Sequence, residues 1–79
     1  MIEIRSYNQE DNALRVKLRC SCGRRALQKR MKGEELVIEC QNCNARITLL
    51  ELQGNATSIW QTMEWILDGV PDADSSGAL

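Results

Sequence analysis

A chain of 79 residues, 43% apolar but only 4% aromatic, can bury one small core, and a core of that size rarely holds a fold without a staple. The formal charge of −1 and the absence of histidine exclude a uniformly basic protein and any catalysis that needs an imidazole. No run approaches the ~18 apolar residues that cross a bilayer, so a soluble, cytoplasmic protein with no membrane partner is expected.

In chain order, residues 1–6 alternate apolar and polar, which predicts a short edge strand, and 8–12 form a polar turn. Residues 13–20 predict a clearer strand, with Leu14, Val16, Leu18 and Cys20 on one face and Arg15, Lys17 and Arg19 on the other. Residues 24–32 include good helix formers, yet the segment is short and must form a hairpin, so a strand turning at Lys32-Gly33 is predicted. Residues 34–40 return as a strand with Leu36, Ile38 and Cys40 on one face. A further strand is predicted over 45–53, ended by Gly54-Asn55.

Ser58 with Gln61 three residues on is a capping-box pattern, predicting a helix to about Asp68 that is closed by Gly69 and Pro71. On its wheel Ile59, Trp60, Met63, Ile66 and Leu67 fall within about 120°, the width of a core-facing stripe. Trp65 falls on the far side. It is either folded over a neighbouring segment or exposed as an anchor for a partner. The tail, 71–79, rich in Asp, Ser, Gly and Ala, is expected to be disordered.

The four cysteines form two close pairs, Cys20-Ser21-Cys22 and Cys40-Gln41-Asn42-Cys43, with seventeen residues between Cys22 and Cys40. Each pair makes a local chelate, and the hairpin between brings the two chelates face to face, as a tetrahedral thiolate site requires. The first pair is the tighter CxC. Gly23 directly after it, and Asn44 after the second pair, are the residues best able to take the left-handed backbone such knuckles need. One structural Zn²⁺ is the expected occupant, because four thiolates leave no open catalytic position. Disulfides, a rubredoxin-like iron site and free thiols are the alternatives. The charged, polar N-terminus lacks a signal-peptide core, which disfavours disulfides, and the scarcity of aromatics disfavours buried iron. Formation of a zinc site contributes about 10–16 kcal/mol in comparable peptides, so a largely unfolded metal-free form is expected.

Charge is distributed unevenly. Arg15, Lys17, Arg19, Arg24, Arg25, Lys29, Arg30 and Lys32 are eight of the ten cations, and no acid interrupts them. Beyond Arg46 there is no Lys or Arg, only Glu51, Glu64, Asp68, Asp72 and Asp74. The cationic stretch is a candidate surface for RNA or DNA phosphates. A solvated cationic face balancing a centre of about −2 is the plainer alternative.

Arg19-Cys20-Ser21-Cys22-Gly23-Arg24, then Val37-Ile38-Glu39-Cys40-Gln41-Asn42-Cys43-Asn44 and an apolar strand from Ile47, resemble the zinc ribbons. Within them the pattern is most similar to the small Com-like phage proteins, zinc-binding translational regulators that bind messenger RNA. The resemblance covers residues 18–50. It implies Cys20, Cys22, Cys40 and Cys43 as zinc ligands.

The expected fold is a small metal-stapled β-rich domain, a zinc ribbon of β-hairpins with two Cys knuckles over 1–55. A C-terminal amphipathic helix over 56–70 packs on it, and the acidic tail follows. The expected function is a non-enzymatic, nucleic-acid-binding regulator of transcription or translation. The alternative is an adaptor that docks a polymerase or other enzyme complex through the helix and Trp65. A variant is self-association, with one copy's acidic helix on another's basic hairpin.

Overall fold

The computed structural model describes residues 1–56 and 58–73, apart from the side chain of Ile59. Among them, six strands run in chain order as β1 (Ile2–Glu10), β2 (Ala13–Cys20), β3 (Leu27–Lys32), β4 (Glu35–Cys40), β5 (Arg46–Thr48) and β6 (Glu64–Asp68). Two short helices, α1 (Leu49–Gly54) and α2 (Ser58–Gln61), lie between β5 and β6. The strands form two three-stranded sheets, β1-β2-β6 and β3-β4-β5.

Alternation explains β2, whose Leu14 and Val16 are fully buried while Lys17 and Arg19 are exposed. β1 is longer than residues 1–6, because Asn8, Gln9 and Glu10 stay paired with β2 and the turn shrinks to Asp11 and Asn12. A bulge between Ile4 and Ser6 shifts the register. Ile4 lies opposite Leu18 and Tyr7 opposite Val16, so one extra residue brings Tyr7 onto the core side, where its ring meets Trp60 at 4.3 Å.

The second sheet is a hairpin with β5 added. Lys32 pairs with Glu35 across Gly33 and Glu34, and Gly33 has φ of 68°, as a two-residue turn with glycine at its first position demands. Ile38, Leu27 and Cys40 meet Ile2, Leu14, Val16 and Cys20 of the first sheet in one core, with Leu52, Leu67 and Val70 closing it. Each such aliphatic side chain contributes about 1.5–3 kcal/mol when fully buried. Val37 is also buried, but outside that cluster.

Two predicted elements differ. The strand expected over 45–53 stops at Thr48, which becomes an N-cap with extended backbone and accepts a 3.1 Å bond from the Glu51 N–H, opening α1. The helix expected from Ser58 to Asp68 lasts only to Gln61, and 64–68 is strand β6, parallel to β2 with Leu14 opposite Trp65 and Val16 opposite Leu67. Parallel pairing satisfies the second backbone edge of β2, which a helix packed on the sheet could not do, and the apolar face of β2 is covered by the second sheet. Within the segment 56–70, Glu64–Asp68 therefore completes the first sheet instead of lying on it as a helix.

The chain then crosses to the other sheet. The Lys29 N–H donates to the Pro71 carbonyl at 2.9 Å, and the Ala73 N–H donates to the Lys29 carbonyl at 2.7 Å, so residues 71–73 strap the first sheet to β3. Residues 74–79, the remainder of the expected disordered tail, lie outside the described residues. No helix among the described residues is long and apolar enough to cross a membrane.

Candidate metal centre and cationic groove

Both knuckles lie where the two sheets meet. Cys20 ends β2 and Cys40 ends β4, and the turns after them fold Cys22 and Cys43 back toward them. The Gly23 N–H closes the first turn on the Cys20 carbonyl at 3.0 Å, and the Asn44 N–H closes the second on the Cys40 carbonyl at 2.9 Å. Gly23 (φ 83°) and Asn44 (φ 63°) take the left-handed backbone expected of them.

The four sulfurs lie within 4.8 Å of one another, with Cys20 and Cys43 at 3.3 Å and Cys22 and Cys40 at 3.6 Å. A tetrahedron with metal–sulfur bonds of about 2.3 Å has sulfurs roughly 3.8 Å apart, so the donor set fits one metal ion. Cys20 and Cys40 are buried and Cys22 and Cys43 exposed, which puts the cluster at the surface end of the core.

Knuckle backbone groups prepare the thiolates. The Arg24 backbone N–H, with help from the Asn42 side chain, lowers the Cys22 thiol to about 6. The Cys43 backbone N–H lowers Cys40 in the same way. For Cys20 the Cys22 N–H pulls down, but the facing Cys43 thiol and burial prevail and raise it to about 11. A cation at the centre would reverse that rise.

The eight cations do not form one face. Arg15 is held between Glu10 at 3.6 Å and Asp68 at 3.9 Å, Arg19 grips Glu3 at 2.7 Å, and Arg30 pairs with Glu39 at 2.7 Å. Lys29, Arg30 and Lys32 lie on the β3–β4 hairpin with Glu34, Glu35 and Glu39, and Lys32 is directly opposite Glu35. Lys17, Arg19, Arg24 and Arg25 instead surround an open groove of about 1150 Å³ between the first sheet, the Cys20–Cys22 knuckle and the strap. Arg5 joins them. The sequence reading missed it because it stands outside the cationic run, and the β1–β2 pairing brings it there.

Trp65 is half-buried and packs against the core, and its indole N–H donates to the Trp60 carbonyl at 2.8 Å. The wheel that placed it outward presumed a helix. On β6 the parity reverses, so that Trp65 and Leu67 share the core side and Ile66 takes the other.

No family model matches the chain, and no curated protein or solved structure matches it. Fold and site together define a small β-rich domain with a four-cysteine cluster able to hold a metal ion.

Proposed function

We propose that Cys20, Cys22, Cys40 and Cys43 hold one structural Zn²⁺ and that the domain is a non-catalytic, nucleic-acid-binding regulator of zinc-ribbon type, in the manner of the Com-like proteins it resembles. All-thiolate ligation of this spacing suits zinc, and a closed four-sulfur shell leaves no position for substrate. The ion would act as a staple between the sheets. Free thiolates persist in a reducing compartment, which supports a cytoplasmic location.

The observation that carries the nucleic-acid reading is the groove. Five cations, Arg5, Lys17, Arg19, Arg24 and Arg25, line it against two carboxylates, Glu3 and Asp68. Set beside a zinc–thiolate centre of about −2 at its Cys20 edge, these cations still leave a net positive concavity on a chain of net charge −1. The test is zinc stoichiometry by elemental analysis, together with anisotropy titration of labelled RNA and DNA at several salt concentrations. Affinity indifferent to salt rejects the reading.

A second reading, the docking adaptor, is favoured by a notch of about 250 Å³ between the β3–β4 turn and α1, rimmed by Met31, Leu36, Leu49 and Leu50. Leu50 is 67% exposed. In this reading Leu50 replaces Trp65 as the anchor. A Leu50→Glu variant that still binds nucleic acid but loses partner capture or self-association would support it.

A further inference from the structure

Resting on the nucleic-acid reading of the groove, we infer that its ligand is a single strand held by its phosphates, with duplex rejected and base identity ignored. The argument begins with where positive charge is absent. An element that reads a duplex must enter a major groove about 12 Å wide, and a two-stranded ribbon or a helix is what fits there. The described residues form three antiparallel hairpins: two end in acid, and the third, β4–β5, turns through the second cysteine knuckle at 41–45, which carries no cation. The β1–β2 turn follows Glu10 and contains Asp11, and the β3–β4 turn carries Glu34 and is followed by Glu35. Either tip would meet duplex phosphates with like charge. The helices α1 and α2 span six and four residues and carry no cation.

Positive charge is concentrated in a concavity instead. The groove cations come from three separate places, Arg5 on β1, Lys17 and Arg19 on β2, and Arg24 and Arg25 after the first knuckle, and they converge from its sides. Lys17 and Arg19 stand two residues apart on one strand face, about 6.5–7 Å. A convex duplex could rest only across the mouth of such a groove, whereas one flexible backbone can enter it and reach cations on both sides.

The floor decides base selectivity. Leu18, Ala26 and Leu27 supply aliphatic surface, and no aromatic is among the described residues that line the groove. Tyr7, 54% exposed, and Trp60 are turned to each other outside the groove lining, and Trp65 packs beside Trp60. The aromatic platforms thus lie outside the groove, and its guanidinium and ammonium groups are donors suited to phosphate, which carries no sequence information.

The test is competition anisotropy with the zinc-loaded full chain, using short labelled oligo-U, oligo-A and oligo-dT, and a duplex of equal length. The three single strands should bind within about threefold of one another, and the duplex about tenfold or more weaker. The log–log salt slope should be roughly −2 to −3.5, the value for three to five single-strand phosphates. Lys17→Gln, an exposed strand position, should lower all three affinities together while zinc content and melting stay unchanged. Equal or tighter duplex binding, or a strong preference for one homopolymer, overturns the inference and leaves the nucleic-acid reading standing. No binding of any of the four probes, or equal displacement by polyglutamate, overturns that reading itself.

Discussion

The groove and the β3–β4 hairpin share one uninterrupted run of cations in the sequence, yet they are electrically different regions. On the hairpin, Lys32 lies opposite Glu35 and Arg30 is bonded to Glu39, so these charges cancel locally, while Lys29, opposite Ile38, is on the other strand face. At the groove, cations from β1, β2 and the first knuckle converge on a space lined by the carboxylates of Glu3 and Asp68 and, at one edge, by Cys20 of the cysteine cluster. On the hairpin the return strand sets acids against the cations, whereas at the groove β1–β2 pairing adds Arg5 to four cations of residues 17–25. A count of lysines and arginines along a chain therefore overstates a hairpin and understates a cavity.

Metal removal is the largest perturbation of that contrast. The knuckle that supplies two thiols also supplies Arg24 and Arg25, so chelation should abolish the groove along with the fold. Near-UV dichroism and NMR dispersion should both collapse, since the site is worth about 10–16 kcal/mol. Cys40→Ser should behave like chelation, Cys40 being only 1% exposed. Thiolate ligands would make protons compete with a metal bound at the four cysteines. Retention should be complete at neutral pH and lost as pH falls, with metal release read by a chromogenic chelator.

A smaller effect is expected from Trp65→Ala. The indole packs on the core beneath the sheet that forms one side of the groove, so the variant should lose about 2–4 kcal/mol of stability in a thermal or denaturant melt. An unchanged melt would return Trp65 to the role of an exposed anchor.

Charge variants should then separate the regions without unfolding either. Replacing Arg24 and Arg25 by Gln should flatten the salt dependence of nucleic-acid affinity by about 1.4–1.8 units, two phosphate contacts' worth. Arg30→Gln with Lys32→Gln should leave slope and affinity nearly unchanged, because Arg30 is already bonded to Glu39. Stability should shift by no more than about 1 kcal/mol, as for exposed ion pairs generally. A larger loss of affinity from the hairpin pair than from the knuckle pair would invert the comparison.

The missed elements were partly visible beforehand. Thr48 and Glu51 form the same capping pattern as Ser58 and Gln61, and reading the first would have ended the strand at Thr48 and opened α1. The failure over 64–68 is of a different kind. Glu-Trp-Ile-Leu-Asp fits a helical stripe when joined to 58–63 and a strand when read alone, and periodicity cannot arbitrate so short a run. What arbitrated was the open edge of β2, about fifty residues away, which needs hydrogen-bond partners that a helix cannot offer.

By itself the sequence determined whatever depends on neighbours along the chain. The alternation of β2, the Gly33 turn, the left-handed positions at Gly23 and Asn44, and the pairing of cysteines into two chelates all follow from local φ preferences and from a period of two. Only the tertiary structure decided which distant groups meet. It turned 64–68 into a third strand, laid 71–73 across β3, paired Arg19 with Glu3 and brought Arg5 beside the knuckle. Those outcomes depend on which backbone edge is left unpaired and which charge is left unmatched once the sheets dock, and both are properties of the assembled chain.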